Sequence, residues 1–358
     1  MNKLLASTIA AGLLLCASAW AAPATAVNDP VVESAAPLVW PKPPEQARIR
    51  YLGILSGPKD LGIVKSWFGR LLDTLSGRGD DEQFVRPTGV AERDGVIYVA
   101  DPGARALWIL DTRRKRSIKV TELETTALAS PVAVAVRPDG AVFLADTVLK
   151  TVFLLNRDGR LIRIAAQVGL ERPAGLAYDA AAEQLYVADA SSDRILVYGA
   201  SGGLVRGWGR SGNRDGEFNH PTHVAVDSSG NVLVVDALNF RIQAFSRQGV
   251  FLWKFGHQGD GSGDLAAPKG IATDLEGHVY VVDALFDTVQ VFNPDGALLM
   301  AFGERGSRAG QFWLPGGLYI NARSEVFVAD PYNQRVQVFR IGDAASAGAQ
   351  DSPWFRKP

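Results

Sequence analysis

From Phe84 onward the chain is written in short hydrophobic bursts broken by polar turns, with no helical period. Residues 223–256 show the grammar. His223 to Val226 reads as a short strand, and Asp227-Ser228-Ser229-Gly230 as a turn in which Gly supplies a positive φ. Val232 to Val235 is a second strand and Arg241 to Ser246 a third. Arg247-Gln248-Gly249 turns into a fourth, Val250 to Phe255. Short runs rich in Val, Ile, Leu and Phe between Gly and Asp turns predict antiparallel strands.

The same phrase returns six times. A Pro opens each unit, at 87, 131, 173, 221, 268 and 315. An apolar–Asp step follows, ending in Asp101, Asp146, Asp189, Asp236, Asp283 and Asp330, at spacings of 45, 43, 47, 47 and 47 residues. Four strands per unit at that period is the pattern of a β-propeller blade. The joints late in the chain repeat as well. Gly209, Gly212, Gly216, Phe218 and Pro221 return as Gly256, Gly259, Gly263, Leu265 and Pro268, and again as Gly303, Gly306, Gly310, Phe312 and Pro315. The sixth unit stops after three strands, while Arg48 to Leu55 precedes the first unit as an orphan strand. An all-β, six-bladed propeller closed by this N-terminal strand accounts for both, and leaves no free sheet edge.

The units resemble NHL repeats, and residues 47–342 as a whole are similar to a six-bladed NHL propeller. The resemblance rests on Pro-x-x-hydrophobic-Ala-Val-Asp at 221–227, on Gly230-Asn231, on Asp236-Ala-Leu-Asn-Phe-Arg-Ile-Gln-Ala-Phe245, and on Asp330-Pro-Tyr-Asn-Gln-Arg-Val-Gln-Val-Phe339. A propeller fold by itself implies no single function.

Outside the array, Asn2 and Lys3 precede an apolar run from Leu4 to Cys16, and small residues follow. Residues 1–21 therefore read as an export signal with cleavage after Ala21 or Ala22, and the protein is expected to be periplasmic or secreted. Acylation of Cys16 as in a lipoprotein is the alternative, disfavoured by Leu13, Leu14 and Leu15 before it. Residues 22–46, with Pro at 23, 30, 37, 41, 43 and 44, read as a semi-rigid linker, and 343–358 as a disordered tail. Within the propeller region, Ile63, Val64, Trp67, Phe68, Leu71, Leu72 and Leu75 share one face of a helix over 63–75. That helix is expected to pack on the propeller, with peripheral membrane contact as the alternative.

Composition narrows the chemistry. Lys plus Arg number 37 against 38 Asp plus Glu, a net charge of −1, which argues against a nucleic-acid binder. One Cys and four His rule out a disulfide framework and leave little for metal. Hydroxyglycine lyases with a similar propeller hold zinc on three channel His. The residues just after each opening Pro, expected at the channel mouth, are Thr88-Gly89, Val132-Ala133, Ala174-Gly175, Thr222-His223, Lys269-Gly270 and Gly316-Gly317. Only His223 fits, and none of the twelve is an acid or Asn of the kind lactonase-like propellers use for calcium. No cofactor is expected, although zinc and calcium remain open, and no nucleophile motif or catalytic residue is found.

Two other sets of residues stand out. Asp189/Arg194, Asp236/Arg241 and Asp330/Arg335 are each five apart across the turn between strands two and three, and are expected to form buried structural pairs. The same turns carry Leu149, Phe240, Phe286 and Tyr332, expected with His223 and Lys269 on the channel-mouth face. The reading that follows is a monomeric, non-catalytic binding or scaffold propeller of the cell envelope, with a protein or peptide on that face. A propeller lyase or hydrolase with an unrecognised channel site is the alternative.

Overall fold

The computed structural model describes residues 38–63 and 82–342. The export signal, most of the linker, the 63–75 helix except Ile63, and the tail lie outside the described residues. Six sheets are arranged as blades of a β-propeller. Blade 4 shows how each is made: Pro221–Val226, Val232–Asp236, Arg241–Phe245 and Phe251–Phe255 pair in sequence order, all antiparallel. The middle two strands are buried at every position, because neighbouring blades cover both faces. The outer strand alternates half-buried and exposed residues, the period-two signature of one covered face. Continuous hydrophobic runs therefore mark the blade centres and alternating runs mark the rim.

The cores lie between blades, and the joints build them. Phe218, fully buried, packs with Tyr186, Ile195, Val224 and Val234 of blades 3 and 4. Leu265 and Phe312 fill the same place at the next two seams. The glycine before each explains its own identity: Gly256 has φ +94, and a Cβ there would stand 2.7 Å from Cδ1 of Leu265. Both the left-handed backbone and the packing exclude a side chain.

Blade 6 is assembled from the two ends of the array. Leu318–Ile320, Glu325–Asp330 and Arg335–Ile341 are joined by Ile49–Leu55, which pairs with the last of them from Ile49↔Ile341 to Leu55↔Val336. Val39–Trp40 adds a fifth strand on the outside, with Val39 opposite Arg50. The end of the stretch read as a linker thus folds into the sheet, and Trp40 packs on Phe302 and Phe339. At the seam between blades 6 and 1, Leu55, Leu61, Ile63 and Phe84 occupy the space that Phe218 fills elsewhere. Among the described residues no helix is long and apolar enough to cross a membrane.

Candidate functional site

The inner strands pack closely around a channel. Thr88 Oγ1 donates to the Val132 carbonyl at 3.0 Å, and the Gly317 amide to the Thr88 carbonyl at 2.9 Å. Glycine at 89 follows from this approach, since a Cβ would lie 2.6 Å from the Val132 carbonyl oxygen. The channel has two parts. A throat of about 250 Å³ is walled by inner-strand residues such as Val134, Leu176, Ala225, Ile271 and Leu318, with Tyr178 and Tyr319 among them. A mouth of about 770 Å³ is lined by the residues on either side of each blade-opening Pro. His223 lines both parts.

Those twelve mouth positions are Arg86, Thr88, Ser130, Val132, Arg172, Ala174, His220, Thr222, Ala267, Lys269, Leu314 and Gly316. Three are Arg or Lys, a fourth is His, and none is acidic. The sequence reading found Lys269 but missed Arg86 and Arg172, because it looked only after each Pro. The residue before Pro is an equally regular register and would have shown them.

The electrostatics reflect this one-sided lining. Burial, helped by the nearby Arg172 charge, lowers the Lys269 ammonium below its ordinary range. Burial lowers His220, with Arg172 and Lys269 adding to it and Asp193 opposing. Burial, then Lys269, pushes His223 down to about 3. His223 is half-buried on the channel wall, where contact with solvent works against that shift. His223 is neutral at pH 7 and its Nδ1 has no hydrogen-bond partner. Thr222, only 6% exposed, also has an unpartnered hydroxyl.

The turns between strands two and three surround the mouth. Of the four side chains expected on this face, Tyr332 is exposed, whereas Leu149, Phe240 and Phe286 are half-buried. Leu149 and Phe240 are turned into the cores between blades. The apolar surface is offered by their neighbours: Val148, Leu238, Leu285 and Trp313 are 64, 54, 63 and 45% exposed. Trp313 packs against Tyr332, with ring centroids 5.7 Å apart, and Arg86 lies over the Tyr332 ring and donates to its hydroxyl at 3.1 Å.

The acidic ends of the second strands are structural. Asp101 accepts the amides of Val85 and Arg86, Asp146 those of Ala129 and Ser130, and Asp283 those of Ala266 and Ala267. Each ties the incoming joint to its blade. Asp236 and Asp330 do the same for Asn219 and Trp313, and also hold Arg241 at 2.7 Å and Arg335 at 2.8 Å. Both Arg side chains go on to donate to three carbonyls of the preceding joint: Asn213, Arg214 and Glu217 in blade 4, and Ser307, Arg308 and Gln311 in blade 6.

The third expected pair does not form. Asp189 and Arg194 stand opposite each other in register, but Arg194 is exposed and has no ion-pair partner among the described residues. Asp189 instead accepts the amides of Glu171 and Arg172. The joint before blade 3 is short, so no loop folds over the guanidinium. Sequence reasoning also missed Gln243, Gln290 and Gln337, buried residues 47 apart whose amides donate to joint carbonyls. Their spacing was the available signal.

No group of three His, Cys, Asp or Glu side chains converges to hold a metal ion among the described residues. Residues 218–245, which carry the Asp236/Arg241 turn, match the family model of the NHL repeat. The chain is a six-bladed propeller that carries an NHL repeat. No curated protein matches it in sequence. The propeller is similar in structure to a streptogramin B lyase, with TM-score 0.56 and 14% identity over 72% of this chain and 94% of that one. It is also similar to a Bacteroides thetaiotaomicron protein of unknown function, with TM-score 0.62 and 14% identity over 83% and 77%. An auxiliary nutrient binding protein from Bacteroides ovatus gives TM-score 0.57 and 14% identity over 73% and 70%. Lyases and binding proteins share this fold, so the likeness speaks for the fold alone.

Proposed function

We propose that this NHL propeller is a non-catalytic binding module of the cell envelope, holding a protein or peptide on its mouth face. The observation that carries this reading is the set of exposed apolar side chains on turns of separate blades. Val148, Leu238, Leu285, Trp313 and Tyr332 are exposed, and Leu285 and Tyr332 line the mouth itself. Exposed apolar clusters rimmed by polar groups mark interaction surfaces.

The test compares capture of partners from envelope extracts by the wild-type protein and by Leu238→Asp/Leu285→Asp. A partner retained by the first and lost by the second, with both equally folded, supports the reading; identical capture profiles overturn it. Export is part of the proposal and rests on residues 1–21; N-terminal sequencing of the mature protein should find it starting at Ala22 or Pro23.

A lyase or hydrolase is the second reading. One observation favours it: His223 lines both throat and mouth and is neutral at pH 7, the protonation state a base or ligand needs. Elemental analysis of purified protein separates the two, because stoichiometric zinc that is lost in His223→Ala would favour the enzyme.

A further inference from the structure

Four basic side chains reach one opening from four different places in the sequence. Arg86 precedes blade 1, Arg172 blade 3 and His220 blade 4, while Lys269 opens blade 5. Like charges converging in this way repel, and Lys269, His220 and His223 are lowered partly by their cationic neighbours. Asp193 opposes the lowering at His220, and no acid does so at Lys269 or His223. Arg172 and Lys269 have no carboxylate partner among the described residues; Asp189 and Asp101 accept the backbone amides of Arg172 and Arg86, at 2.5 and 2.9 Å, and not their guanidinium groups. The Thr222 hydroxyl, nine-tenths buried on the same wall, lacks a partner as well. Structural arginines of this protein look different, since Arg241 and Arg335 spend their donors on a carboxylate and three carbonyls each.

We infer that the mouth is an anion well and that its occupant is a carboxylate side chain of an acidic peptide segment, whose apolar neighbours rest on the rim. The inference rests on the binding-module reading and names the chemistry of its partner. A well of about 770 Å³ admits one or two side chains rather than a folded domain. Arg172 and Lys269, both on the lining of the mouth, supply the charge that holds a carboxylate in a partly dry site. Outside the well, Leu285, Trp313 and Tyr332 offer apolar and aromatic surface, which suits a chain carrying Leu or Phe beside its acids.

The experiment uses the mature protein and three dye-labelled decapeptides in a fluorescence-anisotropy titration: alternating Glu and Leu, the same with Gln for Glu, and the same with Lys for Glu. The Glu peptide should bind at least tenfold more tightly than the Gln peptide, and binding should weaken as salt rises. Arg172→Gln/Lys269→Gln should abolish that preference at an unchanged melting temperature. The charge-reversed Arg172→Glu/Lys269→Glu should prefer the Lys peptide, a gain that a misfolded protein cannot show. Equal binding of the Glu and Gln peptides, an unchanged preference in the Gln variant, or no binding of the Glu peptide at millimolar concentration would overturn the inference. So would tighter binding of a ten-residue oligothymidylate at the same ionic strength. If Glu and Gln peptides bind equally and Leu238→Asp/Leu285→Asp loses both, the anion well fails while the binding module stands.

Discussion

Replacing Arg241 with Ala probes how this propeller holds its joints. The wild-type guanidinium is 7% exposed; its Nε meets Asp236 at 2.7 Å, Nη1 the Asn213 carbonyl at 2.7 Å, and Nη2 the carbonyls of Arg214 and Glu217 at 2.9 Å. Truncation leaves a fully buried carboxylate without its cation, which costs about 3–5 kcal/mol. The three carbonyls add little, because Asn213 and Arg214 are exposed and water can replace the guanidinium there. Asp236 also keeps the Asn219 amide and the side-chain amides of Asn239 and Gln243, which holds the cost within that range. For a chain of this size the loss corresponds to a fall in Tm of roughly 4–7 °C.

A pH signature accompanies it. Burial raises the Asp236 carboxyl even with Arg241 in place, and removing the cation raises it further. The defect in Arg241→Ala should therefore be largest near neutral pH and shrink as the pH falls and Asp236 takes up a proton. The assay is calorimetry from pH 8 to pH 5, with Arg194→Ala as the control: that Arg holds the same register position but is exposed and unpaired, and its loss should cost less than about 0.5 kcal/mol. The reasoning is refuted if Arg241→Ala melts within 2 °C of wild type, if it matches Arg194→Ala, or if its defect grows on acidification.

Two further predictions concern closure and acid sensitivity. Deleting residues 38–56 removes Val39–Trp40 and Ile49–Leu55 and exposes the Arg335–Ile341 edge, so the protein should melt at least 10 °C lower or aggregate; an unchanged melting curve would show that the ring does not need this strand. His223 is lowered on folding, so its contribution is fully present above the unfolded value near 6.5 and is lost as the pH falls from there toward about 3. Across pH 7 to 5 this amounts to at most about 2 kcal/mol, less any relief from channel water. His223→Gln should lose less stability than wild type over that interval, and parallel stability curves would count against the reading.

Much of the fold is legible in the sequence because its causes are local. Period-two alternation, Gly turns and the Asp at the end of each second strand act within one blade, and they recur six times. The Gly-rich joints are legible too, since a positive φ and a ring packed on the glycine both exclude a side chain. Whether an Arg beside such an Asp is buried is not a local matter. Arg194 and Arg241 occupy the same register, yet only Arg241 has a long joint folded over it with carbonyls to receive its donors. The inward turn of Phe240 and the outward turn of Leu238 likewise depend on the neighbouring blade.

The mouth shows the division most clearly. The sequence alone determined the blade count, the register and which residues flank each opening Pro. Arg86, Arg172, His220 and Lys269 are spread over 184 residues, and nothing in their local patterns says that they meet. Only the closed ring brings the ends of successive inner strands to one opening, where these side chains line a single cavity. The tertiary structure decided this shared basic lining, because which side chains meet depends on separation in space rather than along the chain.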